Sequence, residues 1–445
     1  MKNSNQIPEV SAFKFLRHAA QIIENPLPFH QENFQKLGDI FRLRLGLGIS
    51  KSVIFSRNPK IAQHILQKNQ KNYHKSPIQT EDLAKYVGHG LLTANGEHWQ
   101  KQRKLIQPAF HKKQLEKLMD TVNSAIQAEV KRIETNKEFD IFPVFNDLAF
   151  QTVVKSLFSS AVGEKEINRL QYITEADQKM LVKELRQPFK NWWFRLSGKI
   201  QKHINLTQEA RQILKEIVEE RKKSSIRQDD LLDMLLDARY DDGTEMDEEQ
   251  LIDEILILFT AGHETTSNSL TFTCELLARH PEIQEKLYAD VIQAKENSSN
   301  LMEFIQRSTY ANLVIDESMR LYPPAYFIDR ISLAEDEFEG VGIGGNESLL
   351  LSIYEIHRHN DYWQQPEKFI PERFADGKQR KNIAYYPFGA GPRKCIGNNF
   401  AMYEMILAIS EVIAKFKIEE KKAPIQITPL ITLKPKNAFL NFTPR

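Results

Sequence analysis

The 445-residue chain has only two cysteines, Cys274 and Cys395. That is too few for a disulfide framework and suits a reducing compartment. Net charge is nearly absent: 60 Lys and Arg against 59 Asp and Glu leave +1, with no global pull toward nucleic acid or an acidic surface. No apolar run approaches the ~20 residues of a membrane span, and the stretch from Met1 to Pro26 is polar and charged. Internal repeats and low-complexity segments are missing as well. What remains is a cytoplasmic globular protein with 41% hydrophobic residues, ample for a large core.

The pattern along the chain is mainly α with a minor β region. Residues 38–58 alternate as a strand pair, from Gly38 to Leu45 and from Lys51 to Ser56. Helical spacing dominates from Asn95, with stretches over Gln201–Lys223 and Asp229–Ala238. The longest runs from Asp247 to Arg279, where His280-Pro281 ends it. At ~1.5 Å per residue it measures roughly 50 Å, enough to pass through the centre of a domain. Further helices are expected over Pro281–Lys295, Ala311–Leu321 and Asn398–Ala414, and short strands over Phe327–Ile331 and Ser348–Ile353. Ile425–Leu433 and Ala438–Phe442 read as a terminal hairpin.

The most informative stretch is Phe388-Gly389-Ala390-Gly391-Pro392-Arg393-Lys394-Cys395-Ile396-Gly397. Its glycines let the backbone approach something flat and bulky. Cys395 then stands ahead of a helix start, where amides and the helix dipole favour a thiolate. A second stretch, Phe259-Thr260-Ala261-Gly262-His263-Glu264-Thr265-Thr266, lies inside the longest helix. Gly262 there costs about 1 kcal/mol against Ala, so it needs a reason. Ala261 and Gly262 open a groove, and Thr265 can bond back one turn and bend the helix. Glu264 beside Thr265 puts a carboxylate next to a hydroxyl, a pair suited to moving protons. Glu317 and Arg320 share a helix face, and Phe369-Ile370-Pro371-Glu372-Arg373-Phe374 follows. Trp99 and Arg103 also share a face, offering an indole N–H and a guanidinium to an anion.

The cysteine loop and the Ala-Gly-x-Glu-Thr segment resemble the signatures of the cytochrome P450 family, whose iron is held by a cysteine thiolate. The matches run from Trp99 to Cys395 in family order. The resemblance implies one cytochrome P450 domain over residues 1–445, with a long central helix over a buried haem. It implies haem b with Cys395 as the metal ligand and Phe388, Ala261 and Gly262 against the cofactor. Trp99, Arg103, Arg330 and Arg393 would meet the propionates. Glu264 and Thr265 would be catalytic, and Glu317, Arg320 and Arg373 would hold the cysteine loop. Ala325, Tyr326 and Phe327, with Asp329 nearby, would line the substrate site. The Trp192-Trp193 pair would pack, stack on a ring or touch a lipid surface.

The implied reaction inserts one atom of O2 into a C–H bond of a small organic molecule, fatty-acid-like or otherwise apolar. Electrons would come from NAD(P)H indirectly, through a ferredoxin or flavodoxin with its reductase. Lys101, Lys104, Arg380, Lys381 and Lys394 form an expected docking face for that acidic partner. Other readings are O-demethylation of a polar, methylated sugar and a haem-binding sensor or carrier without turnover. Peroxide-driven and rearranging relatives would be expected to lack the Glu264-Thr265 pair or its threonine. Substrate identity is not legible in these residues.

Overall fold

The computed structural model describes residues 7–44, 52–159, 162–419 and 425–445. They form two compact units, each assembled from separated segments of chain.

The first unit comprises Met1–Ser76, Asp316–Cys395 and Ile427–Lys434. Its six-stranded sheet contains β1 (Glu9–Val10), β2 (Ile40–Arg44), β3 (Ser52–Ser56), β4 (Tyr73–His74), β5 (Phe327–Ser332) and β6 (Ser348–Ser352). The order is β1-β2-β3-β6-β5-β4. The alternation around residues 38–58 appears as the antiparallel pair β2–β3, with Phe41 opposite Phe55. Leu45 and Lys51 lie outside the described residues. Phe41 and Phe55 stack at 5.0 Å and join Phe29 and Phe34 in one buried cluster. Each such side chain contributes about 1.5–3 kcal/mol by leaving water. At the far edge β4 pairs with β5, Tyr73 opposite Ser332 and His74 opposite Ile331. That pairing brings Lys75, which follows β4, within electrostatic reach of Arg330 on β5.

The second unit comprises Pro77–Ile315, Ile396–Gln426 and Pro435–Arg445, and is helical. Its principal helices are α1 (Gly96–Ile106), α2 (Phe142–Phe158), α3 (Glu164–Arg186), α4 (Lys199–Lys223), α5 (Glu248–Arg279) and α6 (Asn398–Lys415). Helix α5 starts where its caps dictate. Asp247 accepts from the Gln250 N–H at 2.8 Å, and Glu248 and Glu249 occupy the positive first turn. Leu251, Leu256, Ile257, Phe259 and Phe272 are buried on all sides of α5, as befits a helix enclosed by others. Against it lies α2, with Phe150 and Phe158 at 5.6 and 6.0 Å from Phe259. The helix expected over Asp229–Ala238 is shorter, Leu231–Asp237, because Asp230 is its cap.

The terminal hairpin is not formed. Gln426–Pro429 and Leu433–Lys436 make a sheet of their own. Phe439–Pro444 runs antiparallel to Phe416–Glu419 on one side and to Glu138–Asp140 on the other. Alternating residues mark a strand without naming its partner, and here one partner lies far upstream. Among the described residues, no helix is long and apolar enough to cross a membrane.

Candidate functional site

The cysteine loop is shaped by its own backbone. Gly389 and Gly391 have φ of +69° and +67°, a region that costs an L side chain roughly 1–2 kcal/mol. A Cβ on Gly391 would also overlap the Leu66 carbonyl oxygen, so this position has no room for a side chain. Amides close the turn: Gly389 N–H donates to Tyr386 O (3.1 Å), Lys394 to Gly391 O (3.1 Å) and Cys395 to the carbonyl of half-buried Phe388 (2.9 Å). Cys395 itself is exposed, two residues before Gly397, the N-cap of α6. Cys274 is the opposite case, fully buried in α5, where burial pushes its thiol well up from the ordinary range. Only Cys395 is placed to present a thiolate to a ligand.

Glu317, Arg320 and Arg373 are brought together behind that loop, in the first unit. Both Glu317 and Arg320 are fully buried. Arg320 Nε and Nη2 donate to the two Glu317 oxygens at 2.7 and 2.8 Å, and Arg373 Nε donates to Glu317 Oε1 at 3.1 Å. Arg320 also donates to the carbonyls of His357 (2.9 Å) and Pro366 (2.7 Å), and its guanidinium lies over the Trp363 ring at 5.2 Å. His357, missed from the sequence, links this cluster to the cysteine loop. Its Nδ1 meets the Arg320 carbonyl at 3.1 Å, and its Nε2 accepts the Tyr386 N–H at 2.8 Å. Burial holds the ring's pKa down at about 3, so it is neutral, as an accepting Nε2 requires. The path from Glu317 to Cys395 is therefore Arg320, His357, Tyr386, Gly389 and Phe388, each step a neighbour in sequence or a hydrogen bond. No sequence pattern marks His357, because its role comes from a loop packed against a distant helix.

Arg330 is buried on β5 and Arg393 is half-buried in the cysteine loop. Both act electrostatically on Lys75, whose pKa is driven well below the ordinary lysine value, first by desolvation and then by the two arginines. Arg393 similarly adds to the effect of burial in lowering His74. The acid in this group is Asp329, and it accepts from the Ser76 amide at 3.4 Å and from the Ser76 hydroxyl. Cations thus outnumber acid in a partly desolvated place, the composition expected around carboxylates of a bound group. Lys75 was not singled out by sequence, because its neighbours come from β5 and the cysteine loop. On α1 in the second unit, Trp99 is buried and Arg103 is half-buried, with its Nε on Gln107 Oε1 at 3.0 Å.

On α5, Ala261 is exposed and Glu264 is buried, and the Thr265 hydroxyl donates to the Ala261 carbonyl at 2.8 Å. Gly262 does not open a groove as expected. A Cβ there would come 2.9 Å from Val153 Cγ2, so the glycine serves the close approach of α2. One helix turn toward the N-terminus, Thr260 and Leu256 border a small recess of about 20 Å³, room for little more than a water molecule. Leu83, Val87, Ile173 and Leu181 form apolar walls, while Asp177 and Thr207 contribute polar groups from α3 and α4.

One expectation is corrected and two are narrowed. Tyr326 is buried with its hydroxyl on the Leu430 carbonyl at 2.8 Å, and Phe327 packs edge-on to His30 at 5.0 Å. Both side chains are committed to packing, and only Ala325 of that trio is exposed. Trp192 and Trp193 do not pack into the core; they are 63% and 50% exposed, edge to face with each other. Among the expected docking lysines and arginines, Lys104 is paired with Asp241 and Arg380 with Asp316, which reduces the unbalanced charge.

The donor set fits an iron porphyrin: one sulfur presented by a glycine-bearing turn, and cations in excess where carboxylates would lie. Comparison with known proteins agrees. The family profile described as cytochrome P450 matches residues 7–442. Pentalenene oxygenase of Streptomyces avermitilis is 26% identical over 432 residues, covering 96% of this chain and 95% of that one. Cyclooctat-9-en-7-ol 5-monooxygenase of Streptomyces melanosporofaciens is 27% identical over 407 residues, covering 91% and 87%. A crystal structure of the cytochrome P450DA haem domain superposes with a TM-score of 0.86 at 21% identity, covering 99% of this chain and 98% of that one.

Proposed function

The chain belongs to the cytochrome P450 family, and from that premise we propose that it hydroxylates a C–H bond of an apolar, terpenoid-like molecule. Membership makes it an oxidoreductase of the monooxygenase class, using haem b with electrons from NAD(P)H delivered through redox partners. The observation that carries the substrate reading is the likeness to the two Streptomyces oxygenases, and the side chains beside Thr260, namely Leu83, Val87, Ile173, Leu181 and Leu256, are apolar as such a substrate needs. A hydrocarbon skeleton gains roughly 25 cal/mol per Å² buried against such side chains, which a sugar does not. The two Streptomyces relatives, an oxygenase of pentalenene and a monooxygenase of cyclooctat-9-en-7-ol, support the same class. Of the residues a polar sugar could use, Tyr326 and Asp329 are engaged by Leu430 and Ser76, while Trp192 and Trp193 stay exposed.

In this reading residues 1–445 are one cytoplasmic domain served by a ferredoxin or flavodoxin. Cys395 would supply the thiolate. Arg330, Arg393 and Lys75 in the first unit are candidates for the propionates, as by family resemblance are Trp99 and Arg103 in the second. Haem, when bound, supplies the activation of O2. Thr265 donates its hydroxyl hydrogen to Ala261 O, its oxygen would be left to accept from a proton-bearing water, and buried Glu264 would feed protons toward it. Ferric holoprotein titrated with sesquiterpenes, diterpenes, fatty acids and methylated sugars should show a substrate-type Soret shift with the terpenoids. A response confined to fatty acids or sugars would overturn the reading.

A further inference from the structure

Phe189, Trp192, Trp193 and Leu196 follow the spacing i, i+3, i+4, i+7, by which a helix ordinarily turns one apolar stripe toward a core. Here the stripe is turned outward. On the turn Pro188–Lys190 and the short helix Asn191–Leu196, these side chains are 61%, 63%, 50% and 76% exposed. Phe194 of the same helix is buried among Val87, Met180, Leu181 and Ile257. One ring thus fastens the helix while four large apolar side chains meet solvent. A single exposed apolar residue is ordinary, but a contiguous group rimmed by charge marks an interaction surface. The rim is of one sign. Residues 185–208 contain five cations, Arg186, Lys190, Arg195, Lys199 and Lys202, and no Asp or Glu, in a chain whose whole balance is +1. Lys190, Arg195, Lys199 and Lys202 are exposed, and none has an acidic partner among the described residues. The Lys190 ammonium lies 5.8 Å from the centre of the Phe189 ring, so charge and apolar surface reach solvent together.

We propose that this segment docks the protein on an anionic lipid surface. Indole rings settle at the headgroup level, where an apolar body and an N–H are both accommodated. Phe189 and Leu196 reach the acyl boundary beneath them, and the surrounding cations meet anionic headgroups. A helix of six residues is far too short to span a bilayer, so it lies in the plane of the interface. A second copy of this chain is a poorer occupant, because a two-fold contact sets the same cations against one another. An acidic protein would answer the cations, whereas a membrane interface answers the cations and the apolar stripe together without a shaped pocket. The inference does not depend on the substrate reading above.

The test is flotation of ferric holoprotein with vesicles of phosphatidylcholine alone or of phosphatidylcholine mixed with phosphatidylglycerol. Wild type should bind the mixed vesicles about 10-fold or more tightly than the neutral ones, and less so as salt is raised. Its tryptophan emission should shift to the blue on binding. Trp99 and Trp363 are buried already, so that shift reports Trp192 and Trp193. Replacing both by Trp192→Ser and Trp193→Ser should weaken binding about 10-fold or more and remove the shift. Arg195→Gln and Lys202→Gln should each weaken binding to the mixed vesicles about 5-fold and leave the weak binding to neutral ones unchanged. Each variant is first required to give the wild-type carbon monoxide spectrum. No binding of wild type to the mixed vesicles, equal binding to neutral ones, or unchanged binding by the tryptophan variant overturns the proposal. So does a wild-type dimer in sedimentation equilibrium that the tryptophan variant splits while vesicles stay unbound, which would give the face to a second copy.

Discussion

Cys395 stands exposed in a turn closed by its own amide, whereas Cys274 is sealed in a helix with its thiol held protonated. The reduced carbon monoxide complex should absorb at the red-shifted thiolate position. Cys395→Ser should lose that band and Cys274→Ser should keep it; the reverse pattern would move the ligand. A second titrating residue gives a pH expectation. Glu404 on α6 is buried and bonded to Thr152 of α2, and burial pushes its pKa up to about 8. The folded state therefore holds a proton that the unfolded chain releases near 4.5. Its stabilising contribution is full below that value and is lost as pH rises through about 8. The unfolding midpoint should fall between about pH 4.5 and pH 8, and Glu404→Gln should flatten that fall. An equally steep fall in the variant would assign it to another group, with Glu254, raised to about 7, next in line.

At the scale of elements, the sequence carried most of what local chemistry decides. Asp247 as cap and His280-Pro281 as stop placed α5 to within a residue, because both act on their own backbone. Pairing between distant segments was not legible, and so Phe439–Pro444 was given the wrong partner. Gly262 shows the same limit, since its reason is Val153 on another helix. Gly262→Ala gains about 1 kcal/mol of helix propensity yet should lower the melting temperature, because the new methyl meets a stiff valine. Val153→Ala in the same chain should recover most of the loss, and an additive double variant would refute the contact. The Glu317–Arg320 pair gives a larger effect. Glu317→Ala leaves two arginines facing an empty buried position and should cost ~3–5 kcal/mol, with holoprotein yield falling accordingly. Wild-type yield and melting would show the pair to be dispensable.

For the whole molecule, motifs named the residues of the cysteine loop and of α5, since each works within a few positions of itself. They did not name Lys75 or His357, whose roles come from other segments packed against them. Traffic of electrons is also a property of the whole. Lys101 and Lys394 are exposed, and an acidic donor protein should feel them at long range. Replacing either with Glu should slow reduction at low salt and leave substrate binding unchanged. The difference should fade as the Debye length falls to ~8 Å or less, and a rate indifferent to salt would place docking elsewhere. The turns at Gly389 and Gly391 carry one more consequence. Their positive φ angles and the Cys395-to-Phe388 bond are complete within the chain. A loop held in shape by its own backbone bonds loses little freedom when it closes on a ligand.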